Sequence, residues 1–279
     1  MFLEKYEHSI RQDVLESLSE NGYAVVSRSD TSIQNNILDY YKSKELPNVI
    51  DGFYSTMMHS DFVHKKDVNS FLCERLYEFT SVFFRNHKPL FANYLVKSPN
   101  SNRNVGLHQD WTYTDENKYH SINVWMPLQP TNALNGGLYV VPRSHKLPFS
   151  LRYTPFDEKL YDVDKNLLTQ KAVLIETQQG EALIYDSRLL HFSEGNLSDD
   201  YRVACAGIFL PDGAPALHYF LDGTIMKEYK TDLDFYCNLL PGEEPSITPS
   251  KTYYFSETAS QEKIVEFLKN TQHVVEEKE

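Results

Sequence analysis

Ser121-Ile122-Asn123-Val124-Trp125-Met126 alternates residue by residue, with Ile122, Val124 and Met126 on one face and Ser121, Asn123 and Trp125 on the other. A period of two belongs to a strand with one face in a core, not to a helix. The second face, two polar groups beside a large ring, is a candidate pocket interior.

Outward from this stretch, the same signal recurs from Pro89 onward, giving expected strands near 91–97, 121–128, 137–141, 172–176, 181–185 and 202–210, divided by Gly, Pro and Asn turns. Many short strands with such punctuation indicate a jelly-roll or barrel. Before Pro89 the period is helical. Leu3, Tyr6, Ile10, Val14 and Leu18 form one apolar stripe that Gly22 can terminate. A strand follows at 23–26, then a short helix capped within 29–32 and running through about Tyr41, then a loop at 47–60. Asp67 is the expected cap of a longer helix with the face Val68, Leu72, Leu76, Phe79 and Phe83. After Pro211 the chain is turn-rich, with an edge strand expected at 252–255 and a helix after Thr258. The expected organisation is one domain over 1–279: a helical N-terminal part (1–88), a core at about 89–212 and a C-terminal extension (213–279).

The 27 Lys and Arg against 39 Asp and Glu give a net charge of −12, without a basic run to neutralise a row of phosphates, which argues against a nucleic-acid partner. No apolar run is long enough to cross a bilayer and the first residues do not resemble a signal peptide, so the expectation is a cytoplasmic protein with no membrane partner. Cys73, Cys205 and Cys237 lack metal-ligand spacing and are expected to be buried, reduced thiols. Nothing in the sequence indicates an oligomeric state.

The chemistry begins at Gly106-Leu107-His108-Gln109-Asp110-Trp111, where a His and a carboxylate two residues apart at a strand end can turn to one metal ion. His191 follows an apolar run 83 residues later, and Arg202 lies 11 residues beyond it. Two His and one carboxylate make the facial triad of non-haem Fe(II) oxygenases, which leaves coordination positions open for other reactants. The same three ligands also suit Zn²⁺, so a zinc-dependent hydrolase stays an alternative, as does a non-catalytic jelly-roll that binds a metal or ligand. Arg202 beside Asp199 and Asp200 is open to a plain surface ion pair. His120 and His145 are expected to be structural.

These residues, with Trp125, Asn135-Gly136-Gly137-Leu138, Pro142-Arg143-Ser144-His145-Lys146, Gly180-Glu181, Asp186-Ser187-Arg188, Ser193, Asn196 and Ser198, resemble the phytanoyl-CoA dioxygenase (PhyH) family of Fe(II)- and 2-oxoglutarate-dependent oxygenases. The resemblance implies a mainly β fold with flanking helices around a double-stranded β-helix, the jelly-roll or cupin-like core. It implies that His108, Asp110 and His191 ligate iron, and that Arg202 with Ser193 holds the far carboxylate of 2-oxoglutarate. Trp125 and Asn93 match positions lining the co-substrate pocket. A guanidinium suits that carboxylate because it donates two parallel hydrogen bonds. The implied cofactors are Fe(II), 2-oxoglutarate and O₂. The implied reaction is hydroxylation of an unactivated C–H bond in a small molecule, such as an amino acid, natural-product intermediate or acyl derivative, with release of succinate and CO₂. Asp110 favours hydroxylation because relatives that halogenate have a small residue there. The sequence departs from the family at Arg143, where Gly is usual.

The connection from Lys146 to Gln170 is long for a compact sheet. It is expected to cover the metal mouth and to order on substrate binding, with Arg152, Lys159 and Lys165 as cations for an acidic substrate group.

Overall fold

The computed structural model describes residues 9–44, 52–147, 151–155 and 169–255. Helix α1 (Gln12–Asn21) buries Val14, Leu15 and Leu18 and ends at Gly22, whose φ of 86° is the left-handed conformation that glycine adopts without strain. A side chain there would also collide with His145, since an added Cβ would lie 2.4 Å from its Nδ1. Ile10 lies ahead of α1 in a bridge to Phe84, and the earlier part of the expected stripe lies outside the described residues. β1 (Tyr23–Ser27) and α2 (Ser32–Ser43) follow, then the short β2 (Phe53–Ser55).

The long helix α3 (Phe62–Thr80) starts six residues before the expected point, capped by Asp61, whose carboxylate accepts from the N–H groups of Val63 and His64 at 2.9 and 3.1 Å. Asp67 is instead inside the helix and pairs with Lys44 and Tyr40. Both aspartates precede apolar positions at helical spacing, and only the backbone decides which becomes the cap. The expected face is buried: Val68, Leu72, Leu76 and Phe79 are at most 1% exposed. Burying such side chains is worth about 1.5–3 kcal/mol each, so packing, not helix propensity, holds α3 in place.

The sheet strands are β3 (His87–Lys97), β4 (Val105–His108), β5 (Ile122–Pro127), β6 (Leu138–Val140), β7 (Val173–Ile175), β8 (Glu181–Asp186), β9 (His191–Ser193) and β10 (Arg202–Pro211). Six of the strands form one sheet in the order β1-β8-β5-β10-β3-β2, and β4-β9-β6-β7 form a second. The two are the layers of the jelly-roll. Alternation sorts the large sheet. Ala92, Tyr94 and Val96 of β3, Ile122, Val124 and Met126 of β5, and Val203, Cys205 and Phe209 of β10 pack with α1, α2 and α3 in the main core. The intervening residues, Asn93, Leu95, Asn123, Trp125, Arg202, Ala206 and Ile208 among them, line a cavity on the other face.

A third sheet joins β11 (Leu217–Asp222), β12 (Ile225–Lys230) and β13 (Lys251–Tyr254), with α4 (Leu233–Asn238) between the last two. The expected edge strand is β13, and the hairpin it joins was not expected from the sequence. The expected helix after Thr258 lies outside the described residues. Cys73, Cys205 and Cys237 are buried and free, as expected. No described helix is long and apolar enough to cross a membrane.

Candidate metal and co-substrate site

β4 carries His108 at its last position and runs antiparallel to β9, where His191 is the directly opposed residue. This pairing brings the two rings to 4.2 Å between centroids, and Asp110, two residues past the strand end, turns back so that its carboxylate is 3.8 Å from His191 Nε2. Ligand atoms of His108, Asp110 and His191 all fall within 4.8 Å of one another. His108 Nδ1 is 2.8 Å from the Gly106 carbonyl and His191 Nδ1 is 2.9 Å from that of Leu189. A carbonyl oxygen only accepts, so each Nδ1 bears the proton and each Nε2 presents its lone pair. Burial, followed by the neighbouring His108, pushes His191 down to about 4, which keeps the ring neutral and able to ligate at physiological pH.

Asp110 is held from two directions. Asn123 on β5 donates to its carboxylate at 2.7 Å and also to Ser187 at 3.0 Å. From the long connection, Arg152 Nε donates to the Asp110 backbone carbonyl at 2.8 Å, while its two terminal nitrogens meet the Glu116 carboxylate at 2.6 Å each. Arg152 and Glu116 are both buried. The expectation that Arg152 offers its charge to a substrate is therefore corrected, because the geometry gives that charge to Glu116. Lys159, Lys165 and most of the expected lid lie outside the described residues.

Arg202 opens β10 inside the same cavity. It is 2% exposed, so the surface ion pair with Asp199 or Asp200 does not form. One terminal nitrogen donates to the Leu95 carbonyl at 3.3 Å, its Nε has no partner, and no described carboxylate pairs with it. Burial pushes the guanidinium down to about 10, still charged at neutral pH. Its carbon lies 5.9 Å from the Trp125 ring centre. A buried cation with unused donors is costly unless an anion completes it. The donor set thus fits a carboxylate ligand, and the His-Asp-His cluster fits a divalent metal with open positions.

Ser193, Trp125 and Asn93 also line this cavity. Asn93 donates to Ser55 at 2.8 Å. β9 and β10 are successive but belong to different sheets, so His191 and Arg202 face the cavity from opposite layers and do not share a ladder. Beneath Ser193 and Arg202 lies Lys97, fully buried, whose ammonium donates to the carbonyls of Arg103 and Ser193 at 3.2 and 3.3 Å and to that of Glu194. Burial and then the Arg202 charge push it down to about 7. Lys97 carried no sign of a site role in the sequence, and Arg152 was expected to meet a substrate group and not to hold Asp110. Asn123 left a trace, its place on the face opposite Ile122 and Val124.

His120 and His145 have the structural roles expected. Arg188 donates to Asp186 at 2.6 Å and contacts His120 Nδ1 at 2.6 Å, and His145 Nε2 meets the Ser19 carbonyl at 3.2 Å. Arg143 adopts φ 70°, the left-handed backbone that glycine takes freely, so the turn survives the substitution with local strain.

The phytanoyl-CoA dioxygenase (PhyH) family model matches residues 14–204. The chain is 26% identical over 149 residues to a phytanoyl-CoA dioxygenase of Arabidopsis thaliana, covering 53% of this chain and 50% of that protein. It is 27% identical over 134 residues to phytanoyl-CoA dioxygenase 1 of Oryza sativa subsp. japonica, covering 45% and 46% respectively. The chain thus spans about half the length of the curated relatives it matches. Among solved structures, HygX from Streptomyces hygroscopicus, with nickel, 2-oxoglutarate and hygromycin B bound, superposes with a TM-score of 0.53 at 14% identity over 72% of this chain and 88% of that one. The non-heme alpha ketoglutarate dependent epimerase SnoN from nogalamycin biosynthesis gives 0.53 at 14% identity, over 86% and 94%. Likeness at these identities is one of fold.

Proposed function

The chain belongs to the phytanoyl-CoA dioxygenase family, and from that premise we propose that it is an Fe(II)- and 2-oxoglutarate-dependent oxygenase that hydroxylates an unactivated C–H bond of a small molecule. The observation that carries this reading is Arg202: a buried guanidinium with an unbonded Nε, in the same cavity as His108, Asp110 and His191.

In this reading His108 and His191 hold Fe(II) through Nε2, and Asp110 holds it through its carboxylate. Bound iron, 2-oxoglutarate and O₂ together supply the oxidising chemistry, with succinate and CO₂ as the products of the co-substrate. The chain's own contribution is placement. Arg202, with its unbonded Nε, would hold the far carboxylate of 2-oxoglutarate, and the Ser193 hydroxyl would be a further donor. Trp125 walls the co-substrate, and Asn93 borders it. Asn123 and Arg152 fix the Asp110 carboxylate and main chain so that the third ligand is in position before the metal arrives. The apolar lining, including Leu95, Leu107 and Leu138, keeps water from the reacting groups. The presence of a carboxylate at Asp110 supports hydroxylation over halogenation.

The test is succinate formation from 2-oxoglutarate with added Fe(II), together with iron content in His108→Ala and His191→Ala. Turnover by the unmodified protein and its loss with the iron in both variants are expected. Unchanged iron content and activity in both would end the assignment.

A further inference from the structure

The cavity, of about 400 Å³, has two unlike ends, and β10 measures the distance between them. Arg202 to Ile208 is six residues along an extended strand, about 20 Å. At the Arg202 end stand Trp125, Ser193 and Leu138. In the middle, Ala206 is opposed by both Trp125 and Asn93, and Ile208 is opposed by Asn123, which holds Asp110. The metal cluster is therefore seated toward the Ile208 end. There the walls are Phe91, Trp111, Tyr113, Met57 and Ile208. Phe91 and Tyr113 meet edge to face at 5.6 Å, and Trp111 lies 6.3 Å from Tyr113. Met58, 53% exposed, stands at the mouth.

Among the described lining residues no charge is left over once the metal ligands and the co-substrate's arginine are assigned. Among the described lining residues, the charged or ligating groups are His108, Asp110, His191 and Arg202. Arg152 and Arg188, outside the lining, are each paired, with Glu116 and Asp186 respectively. The described lining of the Ile208 end is mostly π surface, thioether and hydrocarbon, with the Tyr113 hydroxyl, the Trp111 N–H and the Gln109 amide as its neutral polar groups. Ring faces and edges favour flat or alicyclic hydrocarbon frames with partial-charge polarity, and a thioether adapts to their outline.

Resting on the oxygenase reading above, we propose that the substrate is a neutral, ring-bearing molecule whose ring system lies among Phe91, Trp111 and Tyr113 beside the metal cluster, not a carboxylate or acyl-CoA held by charge. The chain offers a built-in test, since its only two tryptophans, Trp111 and Trp125, both line the cavity, one toward each end. In the Trp125→Phe variant the emission of Trp111 alone reports on the Ile208 end, with or without metal. Titration with 1-tetralone, a neutral bicyclic ketone, should quench it with at least about tenfold tighter binding than decanoate or decanoyl-CoA. Tyr113→Leu should weaken that binding about tenfold, and the milder Met57→Ala should weaken it about threefold. Decanoate or decanoyl-CoA binding as tightly as the ketone would overturn the proposal, as would unchanged ketone binding in both variants. The parent reading is tested separately by 2-oxoglutarate with Fe(II) acting on Trp125 in Trp111→Phe, where no response would overturn the co-substrate assignment whatever the ketone does.

Discussion

Two buried arginines stand on either side of the metal cluster and are completed in opposite ways. Around Arg152 every charge is answered: Glu116 takes both terminal nitrogens, the Asp110 carbonyl takes Nε, and Thr112 donates its N–H to the Arg152 carbonyl while its hydroxyl accepts from the Arg152 N–H. Around Arg202 the guanidinium has one long contact to a carbonyl and an unbonded Nε. Both are desolvated to a similar degree, at 4% and 2% exposure. Burial therefore does not distinguish a structural cation from a binding one. The state of its hydrogen-bond donors does, because a fold that has excluded water from a charge either answers it internally or leaves it for a ligand.

The largest effect should come from breaking the completed side. Arg152→Met leaves Glu116 buried without its partner, and the loss should be about 3–5 kcal/mol in urea unfolding. Adding Glu116→Gln should recover part of it, and a single-variant loss below about 1 kcal/mol would show that the pair is not the clamp described. Arg202→Met should behave in the opposite sense. Without 2-oxoglutarate its urea midpoint should not fall, since the variant removes a buried charge that no described carboxylate answers.

Function should reverse that ranking. Arg202→Lys keeps the charge but loses the fork, and the KM for 2-oxoglutarate should rise about 10- to 100-fold with a smaller change in kcat. An unaltered KM would return Arg202 to a structural role.

Acid should affect the Arg152 side. His218 touches Thr154 through Nε2 at 2.9 Å, two residues from Arg152, and its ring stands edge-on to Trp111 at 5.6 Å. Burial pushes it down to about 4 from 6.5. The unfolded chain then binds more protons than the native one between those values, so stability is full above pH 6.5 and falls as pH drops toward 4. His145, pushed down to about 4 by burial, adds to the same slope. In His218→Gln the pH dependence of the urea midpoint over this window should be shallower, and an unchanged slope would exclude His218 as a contributor.

The smallest expected effect belongs to a third arginine, whose backbone matters more than its charge. Arg143→Gly relieves the left-handed φ at the cost of a freer unfolded chain and of the 3.6 Å contact to Glu20. The net gain should be about 0.5–1 kcal/mol by thermal unfolding. A loss would mean that the turn gains more from the side chain than the strain costs.

What was legible in the sequence follows from range. Strands at 122–127, 181–186 and 202–211 were readable because alternation is a property of adjacent residues. His108, Asp110 and His191 were readable because ligand chemistry restricts residue type. The hairpin β11–β12 was not, since Tyr219-Phe220-Leu221 is apolar on successive residues and loses the period of two. Asp61 and Asp67 were equivalent as caps by composition. Arg152 was misread because its partner Glu116 is 36 residues away, and only the fold tells a paired cation from a free one.

Strand β10 carries a further implication for how this protein could be re-engineered. Between Arg202 and Ile208 the residues that line the cavity are Ala206 and Gly207, so this stretch of the chamber wall is set by the smallest side chains on one strand and not by any charged or ligating group. Selectivity and reactivity are thereby encoded on separable positions. A larger side chain at Ala206 would partition the chamber beside Trp125 and leave the metal ligands, their carbonyl partners and the guanidinium where they are. The floor of this cavity is a tuning position through which a lineage, or a protein engineer, could change what the chamber admits without rebuilding the machinery above it.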